Sequence, residues 1–427
     1  METQSHIPAE KASLDEVATT VVMARVTDYF GFFVYAIASA LVFPRLFFPE
    51  YPPVEGMLLS FLVFALAFLA RPIGALLARV VDRKAGRPAK ITLATMVFGI
   101  STVGIGLLPG YAELGWLAPV ALAVFRIGQG LGLGGSWDGV TLQLQNAAPE
   151  HRQGLYTMIP QLGGPIGFCV AASMFYVLTG FLSDEEFMSF GWRFAFFAVM
   201  AVNVVSLFAR LRLLTTDFGA DESLSQSSPV VEMARAQWRP IVLSACLPLA
   251  TYALFHLVTV FPLAYAILYA TTSLPEILML QLIGGGLSLV TMILSGVLAD
   301  RFSRQWVIGT STLLMIALCF TIPMLRTEPA VFIVAGFLLL GLSQGQSGVV
   351  SGGRFIRRYA YSANALSVNL SWILGAAFAP ALGVWLTDRY GDWAAALYLL
   401  SGVIVTFFVM TVLVRRSATA DEEGASA

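Results

Sequence analysis

This chain has little charge. Asp, Glu, Lys and Arg make up only 12% of its 427 residues, against about 25% in a soluble domain. A water-facing surface needs that charge, so a soluble globular fold is excluded. The balance is near neutral, at −1, which removes any bulk attraction to nucleic acid. Cysteine is scarce. Cys169, Cys246 and Cys319 all sit inside apolar runs, without the spacing of a disulfide framework or a zinc site. No cluster of His, Asp, Glu and Cys forms a nucleophile or metal constellation, so no enzyme activity, metal or cofactor is expected.

What is present is apolar. Hydrophobic residues make 57% of the chain and the mean hydropathy is +0.78. Runs of about 20 apolar residues cross a bilayer as helices. Twelve such spans are expected, near 18–44, 56–79, 91–110, 115–147, 153–182, 190–212, 238–268, 276–299, 305–325, 329–353, 361–387 and 393–415. The first is long enough to span and lacks a small-residue cleavage site, so it reads as a helix rather than a signal peptide.

Basic residues divide unequally between the two sides. With both ends inside, 18 of the 25 fall on the inner side and only Arg45, Arg193, Arg326 and Arg389 on the outer; Arg25, Arg71 and Arg126 fall within spans. The positive-inside rule then makes both termini cytoplasmic. The long polar connector, 213–237, has linker composition, with a short amphipathic helix expected at 229–237. The organisation reads as a cytoplasmic tail (1–17), a six-helix bundle (18–212), a cytoplasmic linker (213–237), a second six-helix bundle (238–415) and a tail (416–427). A charged turn recurs once per half, at Asp82-Arg-Lys-Ala-Gly-Arg87 and within Gly296-Val-Leu-Ala-Asp-Arg-Phe-Ser-Arg304. Such repetition marks two similar bundles about an axis along the membrane normal.

These turns, with Phe43-Pro-Arg-Leu-Phe-Phe-Pro49, Ala70-Arg-Pro-Ile-Gly74, Arg126-Ile-Gly-Gln-Gly-Leu-Gly-Leu-Gly-Gly135, Pro160-Gln-Leu-Gly-Gly-Pro-Ile-Gly167, Gly191-Trp-Arg193 and Leu374-Gly-Ala-Ala-Phe-Ala-Pro380, resemble the major facilitator superfamily. More narrowly, they are similar to its metabolite:proton symporters, which include citrate, 2-oxoglutarate, shikimate and proline/betaine permeases. The resemblance implies an all-α membrane protein of twelve helices in two pseudo-symmetric bundles, in a bacterial inner membrane. Departures stand at Asp28-Tyr-Phe-Gly31, which lacks a second carboxylate, and at Gly134-Gly-Ser-Trp137, which has serine for glutamate and is followed by Asp138. No substrate is therefore carried over from any one member.

A charge inside the hydrocarbon costs about 2.5–3.5 kcal/mol on insertion scales, so such groups pair or line a wet cavity. Arg25, Asp28, Phe32 and Tyr35 share a helix face. Depth counted from the span ends puts Asp28 opposite Arg126, and in the implied fold both helices line the cavity. The pair reads as a coupling device. Substrate that takes Arg126 frees Asp28, whose proton affinity then rises. A permanent structural salt bridge is the alternative. Gln129 lies one turn from Arg126. Tyr252, His256 and Thr259 form a polar stripe, with His256 either proton-responsive or a packing residue. Tyr29, Gln161, Gln344, Gln346, Asn369 and Trp372 complete the candidate substrate contacts, although polar side chains also tie helices together. Arg71 is expected to snorkel or to join Asp82. Asp82, Arg83, Arg87, Glu150, Arg152, Asp300, Arg301 and Arg304 read as a cytoplasmic gate, or as simple topology charges.

The function expected is proton-coupled import of a small anionic or zwitterionic carboxylate by a monomer working through alternating access. Two cations, Arg25 and Arg126, against one Asp28 favour an anion. Proton-driven export of a drug-like or siderophore-like compound is the competing reading. A transport-dead sensor is the alternative from another class.

Overall fold

The computed structural model describes residues 14–136, 144, 147–214, 230–269, 272–348 and 355–425. Asp138 and most of the expected linker lie outside them. Among the described residues the chain is helical throughout. The helices are α1 (Leu14–Leu41), α2 (Pro53–Leu107), α3 (Leu117–Ser136), α4 (Gln153–Met158), α5 (Gly163–Phe181), α6 (Arg193–Leu214), α7 (Val230–Cys246), α8 (Leu249–Thr259), α9 (Phe261–Tyr269), α10 (Leu274–Arg301), α11 (Arg304–Cys319), α12 (Pro329–Gln344), α13 (Ala360–Ser371), α14 (Ala379–Tyr390) and α15 (Ala394–Ala425).

The expected spans map onto these with informative exceptions. Seven helical stretches are each long and apolar enough to cross a membrane. The stretch α2 holds spans two and three, broken at Gly86, whose φ of 83° a residue with a Cβ adopts only with strain. That break is the first charged turn. Two further spans are bent pairs: the short helix before Arg193 with α6, at 41°, and α7 with α8, at 44°. The shorter apolar helices α11 and α12 occupy the ninth and tenth expected positions. The helix expected at 229–237 begins at Val230 and continues into α7, with its break at Gln237. There Gln237 Oε1 accepts from Ile356 N at 3.3 Å, and Glu232 pairs with Arg358 at 2.6 Å. The connector's second end is thus fastened to its own half.

Small residues decide how closely α2 and α3 approach. A Cβ at Gly134 would lie 2.1 Å from Arg71 O, and one at Gly130 would lie 2.4 Å from Ala67 O. Backbone meets backbone there, which only glycine permits. That contact carries Arg126 of α3 into the centre. At the opposite end of α2, fully buried Trp192 packs on Phe43 and Phe196. Arg193 donates to Gly106 O at 2.7 Å and Leu108 O at 3.0 Å. Its guanidinium satisfies carbonyls left open by the helix end, which explains the Gly191-Trp-Arg193 motif.

The two halves meet along α10, which packs on α4 and α5, and along α2, which packs on α14. The buried core is continuous across this seam, so the centre lies between the bundles.

Candidate functional site

Arg126 is fully buried. Its Nε donates to Phe64 O at 3.1 Å and its Nη1 to Gln129 Oε1 at 2.9 Å. The orientation of Gln129 is dictated. Thr102 spends its only hydroxyl proton on Phe98 O at 2.7 Å, because a carbonyl can only accept. Thr102 Oγ1 must then accept from Gln129 Nε2, at 2.9 Å, which turns Oε1 toward Arg126. The guanidinium carbon stands 3.8 Å from the Tyr35 ring centroid, 4.8 Å from Phe64 and 5.7 Å from Phe32. Such desolvated cation–ring contacts stabilise by about 2 kcal/mol or more. Arg126 Nη2 and Tyr35 Oη have no hydrogen-bond partner among the described residues.

The second half closes this cage with His256. Its ring centroid lies 5.6 Å from Phe32, 5.1 Å from Phe64, 5.9 Å from Phe68 and 6.4 Å from Trp372. Nδ1 contacts Thr259 Oγ1 at 3.2 Å, while Nε2 has no hydrogen-bond partner among the described residues. Among the described residues, these three polar atoms from the two halves are therefore left open around the same rings.

The expected Asp28–Arg126 pair is not formed. Arg126 has no carboxylate among its contacts in the described residues. It reaches α1 at Tyr35, seven residues beyond Asp28, or about 10 Å along the helix. Depth counting failed because each residue of error in a span end moves a group by about 1.5 Å. Asp28 instead belongs to a second cluster with Arg25, Tyr29, Arg71 and Tyr252, coupled through their charges. Arg71 neither snorkels nor joins Asp82. It is 3% exposed and lies 5.5 Å from the Trp372 ring of the other half. The Tyr252 ring meets that same ring at 4.7 Å, tilted by 59°, so Trp372 joins the two clusters.

The remaining candidates divide. Gln344 Nε2 donates to Gln161 Oε1 across the seam at 3.5 Å. Gln344 also lines a crevice between the bundles with Phe33, Phe168, Phe255, Phe337 and Thr259. Asn369 bonds its own helix, at Ala365 O. Tyr35 and Phe64 were the residues sequence reasoning undervalued. Tyr35 shares the Asp28 face at two-turn spacing, which was the available signal.

The second-half basic turn bonds across the seam to the first half. Asp300 Oδ1 and Oδ2 accept from Gly154 N at 2.6 Å and Leu155 N at 3.1 Å, at the N-terminal end of α4. A carboxylate there answers both open N–H groups and the helix dipole. Gln346, expected among the substrate donors, lies here instead and donates to Gly154 O at 3.2 Å. Gly154 has no room for a Cβ, which would meet Asp300 Oδ1 at 2.8 Å and Gly296 O at 2.9 Å. The first-half turn differs: Asp82 pairs with Lys90 of its own half at 3.7 Å. Arg304 donates to Gln346 O, whereas Arg83, Arg87, Glu150, Arg152 and Arg301 are exposed on this face.

Two helical bundles joined across a buried polar and aromatic centre, with a latch on one face, define a multi-pass membrane transporter. The Major Facilitator Superfamily model matches residues 29–366. The inner membrane metabolite transport protein YhjE of Escherichia coli K12 is 35% identical, over 93% of this chain and 94% of that protein. The shikimate transporter of the same organism is 30% identical, over 96% and 95%. The crystal structure of a D-xylose-proton symporter superposes with a TM-score of 0.69 at 18% identity, covering 93% of this chain and 97% of that one. The chain belongs to the Major Facilitator Superfamily and has its all-helical fold. It is a transporter with a small-molecule substrate, not an enzyme.

Proposed function

We propose that this chain imports a small anionic or zwitterionic carboxylate together with protons, by alternating access. The observation that carries the reading is Arg126. A buried cation without a carboxylate partner among the described residues, its guanidinium over the Tyr35 ring and its Nη2 open among those residues, is a site awaiting an anion. Removing such a charge from water costs several kcal/mol, a cost the fold accepts at the centre of its translocation path. The rings of Phe32, Phe64, Phe68 and Trp372 offer a surface for the body of the substrate.

Proton coupling is assigned to two centres: Asp28 with Arg25 and Arg71, and His256 with Arg126. The Asp300 latch closes the basic face, which the positive-inside count makes cytoplasmic, and rocking of the bundles breaks it. The protein acts as a monomer in a bacterial inner membrane, with both termini in the cytoplasm. Similarity to shikimate and proline/betaine transporters supports a carboxylate cargo.

Flux in proteoliposomes tests the reading, with radiolabelled shikimate, betaine and simple carboxylates under an imposed pH gradient. Uphill accumulation only with an inward proton gradient supports import. Extrusion would reverse the direction, and binding without flux would leave a sensor.

A further inference from the structure

The two threonines of the centre back-bond their own helices, and this fixes the proton on His256. Thr259 Oγ1 lies 2.8 Å from Phe255 O and 3.2 Å from His256 Nδ1. The carbonyl can only accept, so the shorter contact takes the single hydroxyl proton. Thr259 Oγ1 then presents a lone pair to Nδ1, and the neutral ring carries its hydrogen at Nδ1. Nε2, which has no hydrogen-bond partner among the described residues, is a bare lone pair in the cage that holds Arg126.

A bare lone pair repels a carboxylate oxygen, whereas a protonated Nε2 donates to it. We propose that His256 is the proton-dependent ligand contributed by the second bundle: a carboxylate bridges Arg126 Nη2 and His256 Nε2 only after Nε2 has taken a proton. This deepens the carboxylate reading and rests on it. The titratable and charged groups around the ring are Arg126, Arg71 beyond Trp372, Tyr35, Tyr252 on its own helix, and Asp28 and Tyr29 on α1. Arg126 is the charge felt at His256. Without an anion, a second cation beside it in a dry cage is repelled. With an anion between them, both cations are satisfied. The site therefore loads one anion and one proton as a neutral pair. The proton comes from water that enters with the cargo and leaves to water on the other side.

The tautomer is read by nitrogen NMR of the full chain labelled at histidine, with the His256 signals identified by their loss in His256→Gln. A neutral Nδ1–H ring is expected in the wild type, and Thr259→Val should move the hydrogen to Nε2. An Nε2–H ring in the wild type overturns the proposal. Calorimetric binding of shikimate, benzoate and betaine in buffers of different ionisation enthalpy then counts protons. The wild type should take up about one proton per anion above the His256 titration, and lose up to about tenfold in affinity per pH unit there. His256→Gln, whose amide donates permanently, should bind without that uptake, and His256→Phe should bind weakly. Uptake that persists in His256→Gln and vanishes in Asp28→Asn assigns the proton to Asp28 and overturns the role of His256 alone. Failure of every probe to bind the wild type removes the carboxylate reading itself.

Discussion

Replacing Arg126 by glutamine should separate binding from folding. The guanidinium makes two hydrogen bonds within the protein, to Phe64 O and Gln129 Oε1, and leaves Nη2 for cargo. A hydrogen bond to a charged partner contributes about 1.5–3 kcal/mol. At about 1.4 kcal/mol per decade, its loss weakens carboxylate binding by about 10- to 150-fold. The effect on stability should have the opposite sign. Glutamine can still donate to Phe64 O, and the variant no longer buries a charge that lacks a carboxylate partner in the described residues. Its melting temperature in detergent should hold or rise. Lysine is the sharper control, because a compact ammonium cannot serve Phe64 O, Gln129 and a ligand in one plane. It should also lose affinity while keeping the charge. The assays are calorimetric titration with shikimate or benzoate and thermal unfolding of the same samples. Unchanged affinity in Arg126→Gln, or affinity and melting temperature falling together, would refute the assignment of Arg126 to the cargo.

Three further outcomes are expected. Asp28→Asn strips the acidic charge from the cluster with Arg25 and Arg71, and an uncompensated buried charge costs up to about 3–5 kcal/mol; thermal unfolding should register a clear fall, and an unchanged midpoint would detach Asp28 from that cluster. Asp300→Ala removes both bonds to the start of α4 and should shift the closed-to-open balance by about 10- to 150-fold, from about 1.5–3 kcal/mol; spin labels at exposed Lys84 and Gln305 would report a longer distance across the basic face, and an unaltered distribution would deny the latch. On the opposite face, Arg45 holds Asp184 below its ordinary 3.8. That pair stabilises the fold above pH 3.8 and is lost as pH falls through the lowered value. Because both groups are exposed the contribution is at most about 1 kcal/mol, so Asp184→Asn and wild type should melt slightly apart at pH 6 and converge below about pH 3.

Membership of a membrane family and the all-helical fold were legible in the chain itself. Hydropathy, turn chemistry and the sorting of basic residues are local properties that add along the sequence, and no partner is needed to evaluate them. The polar residues that gather at the centre also stood out as candidates, since a polar side chain in an apolar span is visible wherever it points. Which of them meet was settled only in three dimensions. Asp28 and Arg126 looked opposed by counting, yet the close glycine contact of α2 with α3 sets Arg126 against Tyr35 and Phe64 instead. Arg71 looked like a snorkelling group and lies on Trp372 of the other half. Gln346 looked like a ligand donor and grips Gly154. The related turns at Asp82 and Asp300 have different partners, one within its half and one across the seam. Contacts of this kind depend on helix rotation, depth and backbone separation together, and these are fixed by packing between segments far apart in the chain.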